Sequence, residues 1–173
     1  MRKIAAGVIL MCLVLMACKH PTTYKEVQSK KGLFTLQVPT YMSVTNDIFP
    51  GISEVEYQND SIPLYIVAFD TSRNGLNETS LRAYYDSAEA HPTIDSAVLE
   101  QPKFLMINGD SAFTSKLTGS VNGVKFVYRI ETLATPQRFF YILVWTKANK
   151  EKELEEVIEK ILNSFHDINH TKV

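Results

Sequence analysis

The stretch Phe139-Phe140-Tyr141-Ile142-Leu143-Val144-Trp145 decides the fold, because it is apolar or aromatic at every position. Successive side chains of a β-strand point to opposite faces of the sheet, so an unbroken apolar run predicts a strand that is covered on both faces. The run from Leu64 to Phe69 has the same character. Two such strands predict a central sheet with other elements packed above and below it.

Two Asn-Gly dipeptides predict tight hairpins around the aromatic strand. Asn108-Gly109 and Asn122-Gly123 each follow an apolar segment, and a type I′ turn needs positive φ at both central residues, which Asn and Gly tolerate. The predicted strands form a meander over residues 100–107, 110–120, 124–133 and 138–146. Within the third strand, Phe126, Tyr128 and Ile130 alternate with Lys125, Arg129 and Glu131, which predicts one dry face and one wetter face.

Other segments complete an α+β pattern. Phe34 to Val38 alternates and stops at Pro39, and Ile52, Val55 and Tyr57 indicate a further strand. A helix is predicted over Leu81 to Ala90, with Thr79 or Asn77 as its cap and Pro92 past its end. The clearest helix comes last, with one apolar stripe made of Leu154, Val157, Ile158, Ile161, Leu162 and Phe165. These elements predict a central antiparallel sheet flanked by helices.

The amino terminus has the pattern of an export signal. Arg2 and Lys3 precede an apolar run from Ile4 to Met16, which is too short for an ordinary membrane span. A small residue, Ala17, then stands before Cys18. A plain secretory signal and an uncleaved apolar helix are the alternatives.

The tetrapeptide Leu15-Met16-Ala17-Cys18 resembles the bacterial lipoprotein lipobox. The resemblance implies that the Cys18 thiol carries a diacylglyceryl group and that signal peptidase II cuts between Ala17 and Cys18. Lys19 stands where an Asp would resemble an inner-membrane retention signal, and the absence of that Asp favours the outer membrane. No acidic run that would resemble a surface-export signal follows Cys18, which favours a domain that faces the periplasm. The expected organisation is a signal peptide at 1–17, a lipidated cysteine and tether at 18–23, one domain at 24–168 and a tail at 169–173.

Charge and cysteine content exclude several classes of function. Loss of residues 1–17 removes Arg2 and Lys3 and no acid, so the net charge changes from −1 to −3. Such a chain has no electrostatic reason to bind nucleic acid. Cys12 would leave with the signal and Cys18 would become a thioether. The mature chain would therefore have no disulfide, no catalytic thiol and no cysteine-bound metal.

The order of motifs resembles the Mog1/PsbP-like group, which includes periplasmic lipoproteins of the DcrB type. The stretches that carry the resemblance are Phe34 to Pro39, Leu81 to Tyr85, Asn108 to Ala112, Phe140 to Leu143 and Asn163 to Phe165. It implies an antiparallel sheet flanked by helices, used as a binding or accessory module. None of these motifs is a catalytic signature, and an unrelated α+β domain with the same order of elements is the alternative.

No catalytic, cofactor or metal motif stands out. The chain has no Gly-x-Ser-x-Gly elbow and no phosphate-binding glycine loop. Of the four histidines, His166 and His170 have a helical i,i+4 spacing suited to zinc, but they follow the last helix, and a frayed tail is expected there. The carboxylates Asp60, Asp70, Asp86, Asp95 and Asp110 are expected at turns and element ends. No cofactor is predicted.

Four Asp-Ser triplets resemble the acceptor of a periplasmic O-glycosylation system, at Ser61, Ser87, Ser96 and Ser111. The alternative is that Asp-Ser is simply common in turns. Aromatic side chains at Tyr84, Tyr85, Tyr141 and Trp145 could line a ligand face, although core packing is expected of them. The preferred hypothesis is a non-enzymatic lipoprotein that binds a protein partner or small ligand. An envelope hydrolase with a carboxylate site is the alternative.

Overall fold

The computed structural model describes residues 21–74, 76, 80–88 and 94–168. Within these residues the helices are α1 (Leu81–Ala88) and α2 (Glu151–Asn163), and a short 3-10 turn (Ala148–Lys150) precedes α2. The strands are β1 (Tyr24–Gln28), β2 (Phe34–Pro39), β3 (Ser43–Val44), β4 (Val55–Asn59), β5 (Leu64–Ser72), β6 (Asp95–Leu99), β7 (Lys103–Ile107), β8 (Asp110–Val121), β9 (Val124–Ala134), β10 (Arg138–Lys147) and β11 (His166–Asp167).

The large sheet has the order β3-β4-β5-β10-β9-β8-β6, and β7 also pairs with β8. All of its pairings are antiparallel. The aromatic strand β10 lies in the middle with β5 and β9 as neighbours, as its two-sided apolar pattern predicts. A second sheet, β1-β2-β11, is also antiparallel.

Alternate residues of β10 feed two separate cores. Phe140, Ile142 and Val144 pack with α2 and with the small sheet. Tyr141 and Leu143 pack on the opposite face with Tyr85 of α1. The helices therefore cover opposite faces of the large sheet, and the α+β architecture with a central antiparallel sheet is confirmed.

Both Asn-Gly turns adopt the predicted conformation. Asn108 and Gly109 have φ of +51° and +99°, and Asn122 and Gly123 have φ of +51° and +76°. Each turn has two central residues of positive φ, as a type I′ hairpin requires. The two hairpins connect β7 to β8 and β8 to β9.

Two local predictions need correction. The hydroxyl of Ser80 accepts the backbone N–H of Ala83 at 3.1 Å, so Ser80 caps α1; the residues predicted for this role, Asn77 and Thr79, lie outside the described residues. His166 does not belong to a frayed tail, because it lies in β11 and pairs with Thr35 of β2. Among the described residues, no helix has the length and apolar character needed to cross a membrane.

Candidate functional site

The edge formed by β6 and β7 carries three exposed apolar side chains, those of Val98, Phe104 and Met106. Both strands pair with the same side of β8, β7 near its start and β6 near its end. Within the described residues the outer side of β7 has no strand partner. An unpaired strand edge of this kind can accept another strand through its backbone N–H and C=O groups.

The hairpin register sets which groups of β7 face outward. Ile107 pairs with Asp110 across the two-residue turn, and the pair that flanks such a turn is hydrogen-bonded. Hydrogen-bonded and non-hydrogen-bonded pairs alternate along an antiparallel ladder, so Phe104 and Met106 occupy non-hydrogen-bonded positions toward β8. Their backbone N–H and C=O groups consequently point to the open edge.

The side chains of the same two residues are exposed as well. Phe104 is 60% exposed and Met106 is 55% exposed, while Ile107 on the other face is buried. The Phe104 ring meets Phe113 edge to face, with centroids 5.7 Å apart. The Arg82 guanidinium of α1 lies over that Phe113 ring at 5.8 Å. We call β7 with Phe104 and Met106 the β7 edge.

A charged cleft of about 250 Å³ lies behind the β7 edge, on the α2 face of the sheet. Lys116 Nζ is 2.7 Å from a carboxylate oxygen of Glu151 and 3.9 Å from one of Glu100. Arg129 forms an ion pair with Glu159. These pairs satisfy charges of both signs within the cleft, whose lining residues are Glu100, Gln101, Lys103, Thr114, Ser115, Lys116, Arg129, Glu151 and Glu155.

Glu131 is buried between the sheet and α2, although alternation predicts the wetter face for it. It stands opposite Thr114 and Ile142 in the sheet, and its Oε1 has no hydrogen-bond partner among the described residues. Burial, followed by the negative charge of Glu159, raises the pKa of Glu131 to about 8, against the lowering effect of Arg129. The carboxyl group is therefore mostly neutral at pH 7. The prediction failed because α2 covers the face that alternation marks as wet.

A second set of buried charges lies at the β4–β5 side of the sheet. Asp70 has a fully buried side chain and pairs with Arg138 and, at 2.8 Å, with Lys31. Lys31 Nζ also lies 2.7 Å from Glu54. Asp70 is thus a partner in an ion-pair network within β5, rather than a turn residue as the sequence predicts. The network ties the β1–β2 hairpin to the large sheet.

The predicted cleavage and lipidation residues, Ala17 and Cys18, lie outside the described residues, and so do three of the four histidines, His20, His91 and His170. Of the two histidines with zinc-like spacing, only His166 is described, and it lies in β11. Within the described part of the chain no group of three or more His, Cys, Asp or Glu side chains is placed to hold a metal ion.

The four Asp-Ser serines lie on different elements. Ser61 is exposed in the β4–β5 turn, Ser96 is exposed in β6, and Ser87 is exposed on α1, where its hydroxyl donates to the Tyr84 carbonyl at 2.8 Å. Ser111 is half-buried at the start of β8. The structure does not bring them together.

The aromatic residues pack as core, as expected. Tyr84 stacks on Phe139 with centroids 4.5 Å apart, and the buried Tyr85 donates its hydroxyl to Ser115 at 2.7 Å. Trp145 stacks between Tyr65 and Tyr128, at centroid distances of 5.2 and 6.1 Å.

The sequence did not predict the β7 edge as a functional surface. The one signal for it was that Phe104 and Met106 lie two residues apart and therefore share one face of a strand.

The fold is similar to several solved structures. LpqN of Mycobacterium tuberculosis, described as involved in cell envelope biogenesis, matches with a TM-score of 0.59 and 13% identity over 83% of this chain and 89% of its own. The Ran-binding protein Mog1p of Saccharomyces cerevisiae matches with a TM-score of 0.57 and 14% identity over 86% and 97%. Cyanobacterial PsbP of Synechocystis matches with a TM-score of 0.55 and 10% identity over 89% and 99%.

These matches define the class of fold: the domain is Mog1/PsbP-like. No family model matches the sequence, and no curated protein is detectably similar to it. At such low identities the likeness concerns the fold alone.

Proposed function

We propose that this chain is a lipid-anchored envelope protein whose domain is a non-enzymatic module that binds an extended segment of a partner protein. The observation that carries the binding role is the β7 edge, where exposed apolar side chains and outward backbone groups belong to the same two residues. Strand addition uses both features, because the backbone supplies affinity and alternate side chains supply specificity. Aromatic and Met side chains are also enriched at protein interfaces.

The surroundings of the β7 edge suit an interface. Lys103 at the start of β7 also lines the charged cleft, so an apolar strip borders a polar rim. Natural proteins protect open edges with prolines, bulges or charged side chains, lysine above all. The β7 edge has Pro102 and Lys103 at one end and neither a charged residue nor a proline from Phe104 to Ile107.

The envelope location rests on the amino-terminal sequence. Leu15 to Cys18 match the lipobox, and β1 begins at Tyr24, a few residues past the proposed lipid site. Anchoring through two or more acyl chains is stable. Lys19 at the position after the cysteine supports an outer-membrane protein, and the absence of an acidic run after Cys18 supports a domain that faces the periplasm. The involvement of LpqN in cell envelope biogenesis is compatible with this location.

The hydrolase alternative has weaker support. A general acid at neutral pH needs a raised pKa and access to substrate. Glu131 has the raised pKa, but its Oε1 is shielded from solvent beneath α2. The acids that line the open cleft include Glu151, which is paired with Lys116. The binding role is therefore preferred.

A photo-crosslinking amino acid at Phe104 in the full chain, activated in native membranes, tests the binding role. We expect one reproducible protein adduct with the probe at position 104. The matched control is Val44, which is equally exposed but lies at the opposite edge of the sheet. Identical adducts at both positions, no adduct, or an adduct only with a second copy of this chain would contradict a distinct partner at the β7 edge.

Modification of the Asp-Ser sites is a separate proposal. The exposed side chains of Ser61, Ser87 and Ser96 make them the better acceptors, and the half-buried Ser111 the poorer one. Intact-mass measurement of the native protein tests this. A mass that contains only the polypeptide and the lipid would rule out glycan at all four serines.

A further inference from the structure

The edge of the large sheet opposite to β7 has its own exposed apolar residues. Val44 in β3 is 67% exposed and Ile52, in the loop before β4, is 65% exposed. β3 has only two residues, so it offers too little backbone for strand addition. This edge, made of β3 and the loop before β4, therefore needs another explanation, and we call it the β3 face.

The chain enters the domain directly beside the β3 face. The hydroxyls of Thr23 and Thr40 are 2.6 Å apart, and Thr40 lies three residues before β3. Lys25 donates to the Met42 carbonyl at 3.2 Å and lies over the ring of Tyr57 at 5.0 Å. Tyr57 is the register partner of Val44. The amino-terminal strand and the β3 face are therefore adjacent.

The length of the preceding chain limits where a membrane anchor can lie. Thr23 lies five positions after Cys18, and five extended residues span at most about 17 Å. In contrast, β3 and the β7 edge are separated by six strand spacings, or about 29 Å at about 4.8 Å per spacing. A lipid on Cys18 thus holds the β3 face close to the bilayer and leaves the β7 edge farther away.

The loop that presents Ile52 is held in place from inside. The Glu56 carboxylate accepts the backbone N–H groups of Ile48 at 2.6 Å and Phe49 at 3.3 Å, and the hydroxyl of Ser53 at 2.7 Å. The Phe49 ring packs edge to face on Phe69. Gly51 supplies the positive φ of +78° at the tip. Ile52 is therefore held outward on a fixed loop.

The surroundings of the β3 face include two basic groups. Lys25 and Lys30 are exposed near the two ends of β1, on either side of the exposed Glu26, and basic side chains are attracted to anionic headgroups. The exposed acid of the loop is Asp47, whose carboxylate accepts the Thr45 hydroxyl at 3.2 Å. Apolar tips flanked by basic residues are typical of surfaces that enter the headgroup region.

We infer that the β3 face, with Val44 and Ile52 as its contact residues, rests on the bilayer in the anchored protein. This inference depends on the lipid anchor of the proposed function. It fixes an orientation in which the sheet stands away from the membrane, so that the β7 edge is presented to a partner. A lipid surface is the occupant of the β3 face, in contrast to the protein segment proposed for the β7 edge.

Single cysteines with an environment-sensitive fluorophore test the orientation. Because signal cleavage removes Cys12 and the lipid occupies Cys18, V44C and I52C each provide one reactive thiol in the mature anchored protein. Matched controls are V98C in β6, where Val98 is 63% exposed, and M106C in β7. Each labelled protein is reconstituted into vesicles of phosphatidylethanolamine and phosphatidylglycerol, with and without a bilayer-embedded quencher.

We expect a blue shift and quenching at positions 44 and 52, and neither effect at 98 and 106. Equal signals at all four positions, or signals only at 98 and 106, would overturn the orientation. Intact mass is measured on the same samples. A lipid on Cys18 without signals at 44 and 52 defeats only the orientation, whereas absence of lipid on Cys18 defeats the anchor and the orientation together.

Discussion

At the scale of single residues, Glu131 is the least expected group in the molecule. Burial of a carboxyl group disfavours its charged form, and the neighbouring Glu159 adds to this effect. Arg129, whose positive charge lowers the pKa of Glu131, already pairs with Glu159. Glu131 therefore keeps its proton in the folded protein at pH values where an unfolded chain has lost it.

Replacement of Glu131 by Gln is expected to change how stability depends on pH. In the wild type the folded state binds more protons than the unfolded state between the ordinary pKa of 4.5 and the folded pKa of about 8. The free energy of unfolding therefore falls as pH rises through this window and levels off above it. E131Q removes this decrease in the free energy of unfolding, which amounts to a few kcal/mol at pH 8.

Urea denaturation at several pH values between 5 and 9 measures the effect. E131Q should match the wild type near pH 5 and exceed its stability at pH 8. The control is E155Q on the exposed face of α2, which should keep the wild-type slope. Parallel pH profiles for E131Q and the wild type would contradict a neutral Glu131.

Glu56 shows the opposite behaviour because its carboxylate is well hydrogen-bonded. Burial alone would raise its pKa, but donors from Ile48, Ser53 and Phe49 lower the pKa below its usual value. The hydrogen bonds to the ionised Glu56 carboxylate therefore stabilise the folded state above the unfolded-state pKa of Glu56. This stabilisation is lost as pH falls through the folded-state pKa. E56A removes an acceptor from three donors and should cost about 2–4 kcal/mol.

Limited proteolysis of the segment between β3 and β4 measures the effect of E56A. We expect faster cleavage within residues 46–54 and a lower thermal midpoint. E26A is the control, since Glu26 is exposed in β1. Equal cleavage rates for E56A and E26A would show that Glu56 does not hold the loop.

At the scale of elements, the contact between β6 and β8 depends on Gly119. A Cβ at this position would overlap the Ile94 side chain and lie 3.2 Å from the Asp95 carbonyl oxygen. G119A must therefore push β6 away from β8, at a cost of about 1–3 kcal/mol. Amide hydrogen exchange in β6 should be faster in G119A than in the wild type, while exchange in β10 should be the same in both proteins. S120A on the same strand is the control, and unchanged β6 protection in G119A would contradict this role.

The elements that sequence predicts well are those specified by local signals. The two Asn-Gly hairpins, the aromatic strand β10 and the apolar stripe of α2 from Leu154 to Leu162 are confirmed, whereas Phe165 of the predicted stripe lies past the end of the helix. β3 and β11 have two residues each and exist only through pairing with distant strands, so no periodicity indicates them. β1 has a single buried residue, Val27, which leaves almost no pattern to detect.

The candidate site was beyond sequence reasoning for a related reason. An alternating pattern predicts which residues share a face of a strand, but it does not predict which elements cover that face. Glu131 lies under α2 and Phe104 lies in the open, the reverse of what their polarity suggests. The difference arises because the middle of the sheet is covered on both faces and its β7 edge is not.

At the scale of the whole molecule, one sheet is shared by two cores, which should make unfolding cooperative. Phe140 contacts Phe34 and Phe165 at centroid distances of 5.4 and 4.9 Å and joins the small sheet to β10 on the α2 face. Trp145, five residues along the same strand, belongs to the core on the α1 face. Either core can be lost alone only if β10 remains paired without it.

Phe140→Leu tests this coupling because it perturbs one face while Trp145 reports on the other. The smaller side chain should cost about 1–2 kcal/mol by loss of ring contacts. In two-state unfolding, Trp145 fluorescence and far-UV circular dichroism report the same transition, so both midpoints should fall by the same amount. Tyr65→Phe is the control, since it keeps the ring that stacks on Trp145. A Trp145 transition that stays at the wild-type midpoint while the dichroism transition falls would show that the two faces of the sheet unfold independently.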